Sequence, residues 1–145
     1  TSTLRITGKK FFVGGSGWSR IRGASVRARL RPRVDACIVA TCGAIEVEAL
    51  YSARNADDHD RLRVQRSTIF TYLDTAEADW RRALDIQHLL AKRSEHRGPR
   101  VPDLLIAAVA ERYGLTLLHY DSDFERIATV SGQLAEWVVP RKSVP

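Results

Sequence analysis

The chain has 145 residues, enough for one domain around one core, and its 44% hydrophobic and 28% charged content is that of a globular protein rather than a fibrous or low-complexity one. No apolar run approaches the roughly 20 residues of a membrane helix, no signal-peptide pattern opens the chain, and a cytoplasmic protein is expected. The net charge is +6 and 19 of the 23 basic residues are Arg, which suits phosphate or an acidic partner and equally follows from Arg-rich coding, so charge leaves the function open.

Lys9 and Lys10 lead into Phe11-Phe12-Val13, a short strand stopped by Gly14-Gly15-Ser16-Gly17. Ser25 to Val34 is basic and predicts a short helix that Pro32 ends. Cys37 to Ala40 predicts a second buried strand, with Thr41 as N-cap of a helix over Cys42–Arg54. These two cysteines, Cys37 and Cys42, are the only ones; they exclude a disulfide framework and a CxxC zinc site, and read as buried thiols. Asn55 separates that helix from a charged one over Ala56–Arg66, and Thr68–Leu73 predicts a third strand.

Ala76–Lys92 carries Trp80, Ala83, Leu84, Ile86 and Leu90 at helical spacing. Ser94–Arg100 reads as a mobile basic loop, and Pro102 opens a helix that runs from Asp103 to Tyr113, with Gly114 at its end. Leu115–Tyr120 predicts a fourth strand, Ser122-x-x-Glu125 a capping box for a helix to about Val130, and Trp137–Val139 a last edge strand.

Short apolar strands alternating with helices predict an α/β fold of three layers (α/β/α): a mostly parallel sheet of four to five strands with helices on both faces. A single domain is expected over 1–145, with 1–8 as an N-terminal extension. In such folds ligands bind beyond the carboxyl ends of the strands, here Gly14–Gly17, Thr41–Gly43 and Tyr120–Asp123.

Four acids lie at or near those ends: Glu48, Asp103, Asp121 and Asp123. Each has a structural explanation, since Asp103, Asp121 and Asp123 flank helix starts, where carboxylates are favoured. Glu48 reads as an exposed helical residue as readily as Glu46 does. These two are about 200° apart on the helical wheel, so one site can use only one of them. Projected together, the four make a hard-oxygen site suited to Mg²⁺ or Mn²⁺. The glycine loop has neither GxGxxG nor GK[ST], no GxSxG elbow is present, and the four histidines, at 59, 88, 96 and 119, lack metal-ligand spacing.

The segments Val101-Pro102-Asp103-Leu104-Leu105-Ile106-Ala107-Ala108, Tyr113-Gly114-Leu115-Thr116 and His119-Tyr120-Asp121-Ser122-Asp123-Phe124-Glu125-Arg126 resemble the C-terminal half of VapC-type PIN-domain toxins. Ile45–Arg54 resembles their acidic helix, and the resemblance runs from about Phe11 onward. It implies the PIN-like fold, a divalent metal (Mg²⁺ or Mn²⁺), and hydrolysis of RNA by the toxin of a VapBC toxin–antitoxin system. Glu48, Asp103 and Asp121 become metal-site acids, Asp123 an accessory or structural acid, and Ser16 the hydroxyl of the first-strand motif.

One departure stands out. The family's first strand ends in a motif such as V-D-T-S, where this chain has Val13-Gly14-Gly15-Ser16, so that Gly14 takes the place of a metal-binding Asp. A catalytically impaired module that still binds RNA or an antitoxin is therefore the alternative to an active nuclease. Arg54, Arg97 and Arg100 are candidate RNA phosphate contacts. A VapB-like antitoxin is the expected partner, with Trp18, Leu50 and Tyr51 as candidates for its groove or, alternatively, as core, and a homodimer is expected.

Overall fold

The computed structural model describes residues 11–13, 39–119, 122–132 and 135–137. The predicted helix over Ser25–Val34, Cys37, the glycine loop with Gly14 and Ser16, Trp18, and Asp121 lie outside them. Five strands form one sheet: β1 (Phe11–Val13), β2 (Val39–Cys42), β3 (Thr71–Leu73), β4 (Thr116–His119) and β5 (Ala135–Trp137). Their order is β3-β2-β1-β4-β5, and every neighbouring pair is parallel. From β1 the chain winds first toward β3 and later toward β5, so the direction reverses between β1 and β4, the position at which such sheets open a crevice.

The helices are α1 (Gly43–Leu50), α2 (Ala56–Ile69), α3 (Glu77–Ala91), α4 (Val101–Arg112) and α5 (Ser122–Ser131). Helix α4 is buried from Asp103 through Ala110, because α1, α3, α5 and β4 all pack on it. Ile45, Ile86, Leu90, Ile106, Leu117, Phe124 and Ile127 meet in this core, each contributing about 1.5–3 kcal/mol by leaving water.

The cap chemistry explains the helix boundaries. Asn55 starts α2 by accepting from the Asp58 N–H at 2.8 Å. The Ala76 N–H donates to Asp79 Oδ2 at 2.8 Å at the start of α3, and Gly114, at φ +65°, turns the chain out of α4 while the Leu115 N–H reaches back to the Ala110 carbonyl.

Two expectations are corrected. Thr41 is not an N-cap: Thr41 and Cys42 extend β2 by pairing with Tyr72 and Leu73, and α1 begins at Gly43 and stops at Leu50, short of Arg54. Helix α2 runs on to Ile69, since the hydroxyls of Ser67 and Thr68 bond to carbonyls three residues back and leave only Thr71–Leu73 for β3. The segment Ser94–Arg100 is a hydrogen-bonded turn, with the Glu95 N–H on the Leu90 carbonyl, the Gly98 N–H on the Glu95 carbonyl, and Pro99 buried.

Candidate active site

Asp103 is the third residue of α4. The residue is 2% accessible, and its Oδ2 accepts the Arg100 backbone N–H at 3.0 Å. This bond caps the helix and fixes the rotamer of the carboxylate at a helix N-terminus, where negative charge is favoured. Glu48 lies in the last turn of α1, with 21% of its side chain accessible, and its Oε1 is 3.6 Å from Nη2 of the same Arg100. Two carboxylates from separate helices are thus tied to one residue.

Helices α1 and α4 pack together at this point, and a cleft of about 640 Å³ opens beside them, lined by Val47, Glu48, Tyr72, Asp74, Trp80 and Pro102. Gly43 lets the wall close, because a Cβ there would stand 3.2 Å from the Tyr72 hydroxyl.

Glu46 points elsewhere, as the wheel requires. Its carboxylate accepts from Thr41 Oγ1 at 2.7 Å and is gripped by Arg66. The expectation of an exposed Glu46 is therefore corrected, and the cause is an arginine buried on α2. That pair sits in a second cleft, of about 770 Å³, walled by Leu50, Tyr51, Phe70 and Tyr72. The two glutamates of α1 serve two different cavities.

Asp123 accepts from Arg126 Nη1 at 2.7 Å, beside Gly98, where a Cβ would come within 3.0 Å of Asp123 Oδ1. That pair lies within α5, next to the turn before α4. Arg54 pairs with Asp58 at the start of α2, at 3.6 Å, while Arg97 and Arg100 are exposed on the turn leading into α4.

Sequence reasoning missed a further ionic group behind the site. Arg112 donates to both oxygens of Asp79, which is 1% accessible, and to the Asp74 carbonyl. The Tyr113 hydroxyl donates to Asp74, which holds that carboxyl below its usual range and raises the Tyr113 phenol. Asp79 and Arg112 are far apart in the chain and carry no local signal of pairing. Cys42 is fully buried, as expected, and burial pushes its thiol up.

The donor set near Arg100 is hard oxygen only. Among the described residues no group of three His, Cys, Asp or Glu side chains gathers; Glu48 and Asp103 are linked through the two ends of Arg100, its guanidinium and its main-chain N–H. Hard oxygens suit Mg²⁺ or Mn²⁺, which take one or two carboxylates and fill the remaining positions with water and phosphate oxygens.

Residues 19–130 match the family model described as PIN domain. Ribonuclease VapC21 of Mycobacterium tuberculosis is 40% identical over 130 residues, covering 90% of this chain and 94% of that protein. Ribonuclease VapC51 of the same organism is 42% identical over 135 residues, covering 93% of this chain and 97% of that protein. Among solved structures, DNA-bound VapBC from Salmonella typhimurium superposes with a TM-score of 0.71 at 19% identity, covering 91% of this chain and 100% of that one. VapBC-5 from Mycobacterium tuberculosis gives 0.58 at 22% identity, covering 90% of this chain and 98% of that one. At such identities the structural likeness speaks for the fold.

Proposed function

The chain belongs to the PIN domain family, in its VapC branch, and from there we propose that it is a divalent-metal-dependent endoribonuclease, the toxin of a toxin–antitoxin pair. The observation that carries this reading is the convergence of Glu48 and Asp103 on Arg100, from two helices of a PIN-family chain. Relatives that share about 40% of its residues across nearly their whole length are named ribonucleases.

Glu48 and Asp103 hold the cation in this account. Asp121 joins them and Ser16 orients the acids; both lie outside the described residues. A bound Mg²⁺ or Mn²⁺ supplies an activated water and neutralises charge on the scissile phosphate. Arg97, Arg100 and the more distant Arg54 take RNA phosphates, and Asp123 supports the site through Arg126. The products carry 5′-phosphate and 3′-hydroxyl ends. The reaction takes place in the cytoplasm; no described helix is long and apolar enough to cross a membrane.

A second reading, an impaired module that binds RNA or antitoxin without cutting, is favoured by one fact, Gly14 at the place of a family Asp. Incubating RNA with the chain, Glu48→Gln and Asp103→Asn, with Mn²⁺ and with chelator, separates the readings. Metal-dependent cleavage by the parent and loss in both variants are expected. Equal cleavage by all three would remove the acid pair from the mechanism, and none by the parent favours the impaired module.

The partner is a VapB-like antitoxin. The cleft formed by Leu50, Tyr51 and Phe70 suits the apolar face of an amphipathic segment, and Glu48, in the adjoining cleft that shares Val47 and Tyr72 with it, suits an Arg from that segment. A second copy of the chain fits the exposed Trp80 and Leu84 of α3.

A further inference from the structure

Arg100 meets the two acids in different ways. The bond to Asp103 comes from its main-chain N–H and belongs to the helix cap, so it persists whatever the side chain does. The contact with Glu48 comes from the guanidinium, on a side chain 72% accessible, at 3.6 Å. An ion pair this exposed holds weakly and is easily exchanged. The cap therefore anchors the main chain of Arg100 beside the acid pair and leaves its cation free to move within a side-chain length of it.

We propose that Arg100 is a resident counter-ion of Glu48: its guanidinium neutralises that carboxylate, competes with a divalent cation for it, and turns to an RNA phosphate once displaced. The inference rests on the acid pair being a metal site and adds regulation of that site by the chain's own cation. A guanidinium and a divalent cation in contact with one carboxylate repel each other, so the Arg100 side chain lowers divalent affinity. Once off Glu48, the planar guanidinium suits two oxygens of a phosphate. Coupling follows, because a cation at the acids and RNA at Arg100 each make room for the other.

The test uses the full chain, Arg100→Ala and Arg100→Lys, each of which keeps the capping N–H. Mn²⁺ is titrated calorimetrically, and binding of a phosphorothioate oligoribonucleotide is measured against salt with and without Mn²⁺. Arg100→Ala is expected to bind Mn²⁺ roughly 3–10-fold more tightly than the parent, and Arg100→Lys to stay near it. The slope of log affinity against log salt is expected to drop by about 0.7 in Arg100→Ala when Mn²⁺ is present, and to change little without it. Equal or weaker Mn²⁺ binding by Arg100→Ala, beside measurable binding by the parent, overturns the counter-ion role alone. So does a slope change that is the same with and without Mn²⁺. If no folded form binds Mn²⁺ at millimolar concentration, the metal-site reading falls and this inference with it.

Discussion

Arg66 grips Glu46 through three contacts: Nε to Oε1 at 3.0 Å and to Oε2 at 3.1 Å, and Nη2 to Oε2 at 2.7 Å. The arginine is 5% accessible and lies over the Phe70 ring, 4.7 Å from its centroid. Removing one partner of such a pair strands the other charge in poor solvent. Arg66→Ala is expected to destabilise the fold by about 3 kcal/mol, seen as a lower denaturant midpoint at an unchanged m-value. Arg66→Leu with Glu46→Leu should recover much of that loss. A cost for Arg66→Ala below about 0.5 kcal/mol would reduce the pair to an ordinary surface contact.

Asp58 contributes to the acid sensitivity of α2. Its carboxylate accepts the Arg54 backbone N–H and the Arg61 guanidinium, which lowers its pKa to about 2. A carboxyl held below its unfolded value stabilises the fold above that value, and the contribution is lost as pH falls through the folded one. The fold should therefore lose stability between about pH 4 and pH 2 partly through this group. Asp58→Asn should lower stability at neutral pH and flatten the slope across that window. An unchanged slope in the variant would assign the acid sensitivity to other carboxyls.

The proposed antitoxin groove has one usable probe. Leu50 is buried, so an acid placed there would unfold α1, whereas Tyr51 is 90% exposed on the rim of the same cleft. Tyr51→Asp is expected to leave the melting temperature within a few degrees of the parent and to weaken co-purification with a co-expressed VapB-like antitoxin. If antitoxin is retained in full by Tyr51→Asp, its groove lies elsewhere.

Much of this was legible in the sequence, for local reasons. Pro102, Asp103 and Gly114 mark the ends of α4, and the structure places α4 over Val101–Arg112 with Asp103 capping it. The spacing of Glu46 and Glu48 shows that they face different ways, and they line different clefts. What the sequence concealed is long-range. The strand character of Thr41 and Cys42 comes from pairing with Tyr72 and Leu73, not from their neighbours. The partners of Glu46 and Asp79 are arginines on other helices, and nothing near Trp80 or Leu84 reveals that they lie on the exposed face of α3 while Ala83, Ile86 and Leu90 fill the core. Arg100 was legible as a cation near the site, but not as the residue that touches both acids.

Mapping the ends of RNA cut by this chain and by Gly14→Asp decides whether it is a metal-dependent endoribonuclease. On the resemblance that sets Gly14 at the family's Asp, a carboxylate there would add a ligand and negative field for the cation. Fragments with 5′-phosphate and 3′-hydroxyl ends are expected only when Mg²⁺ or Mn²⁺ is present, formed slowly by the parent and at least about tenfold faster by Gly14→Asp. Cleavage that survives chelator, fragments ending in 2′,3′-cyclic phosphate, or no cleavage by either form in Mn²⁺ would contradict the account.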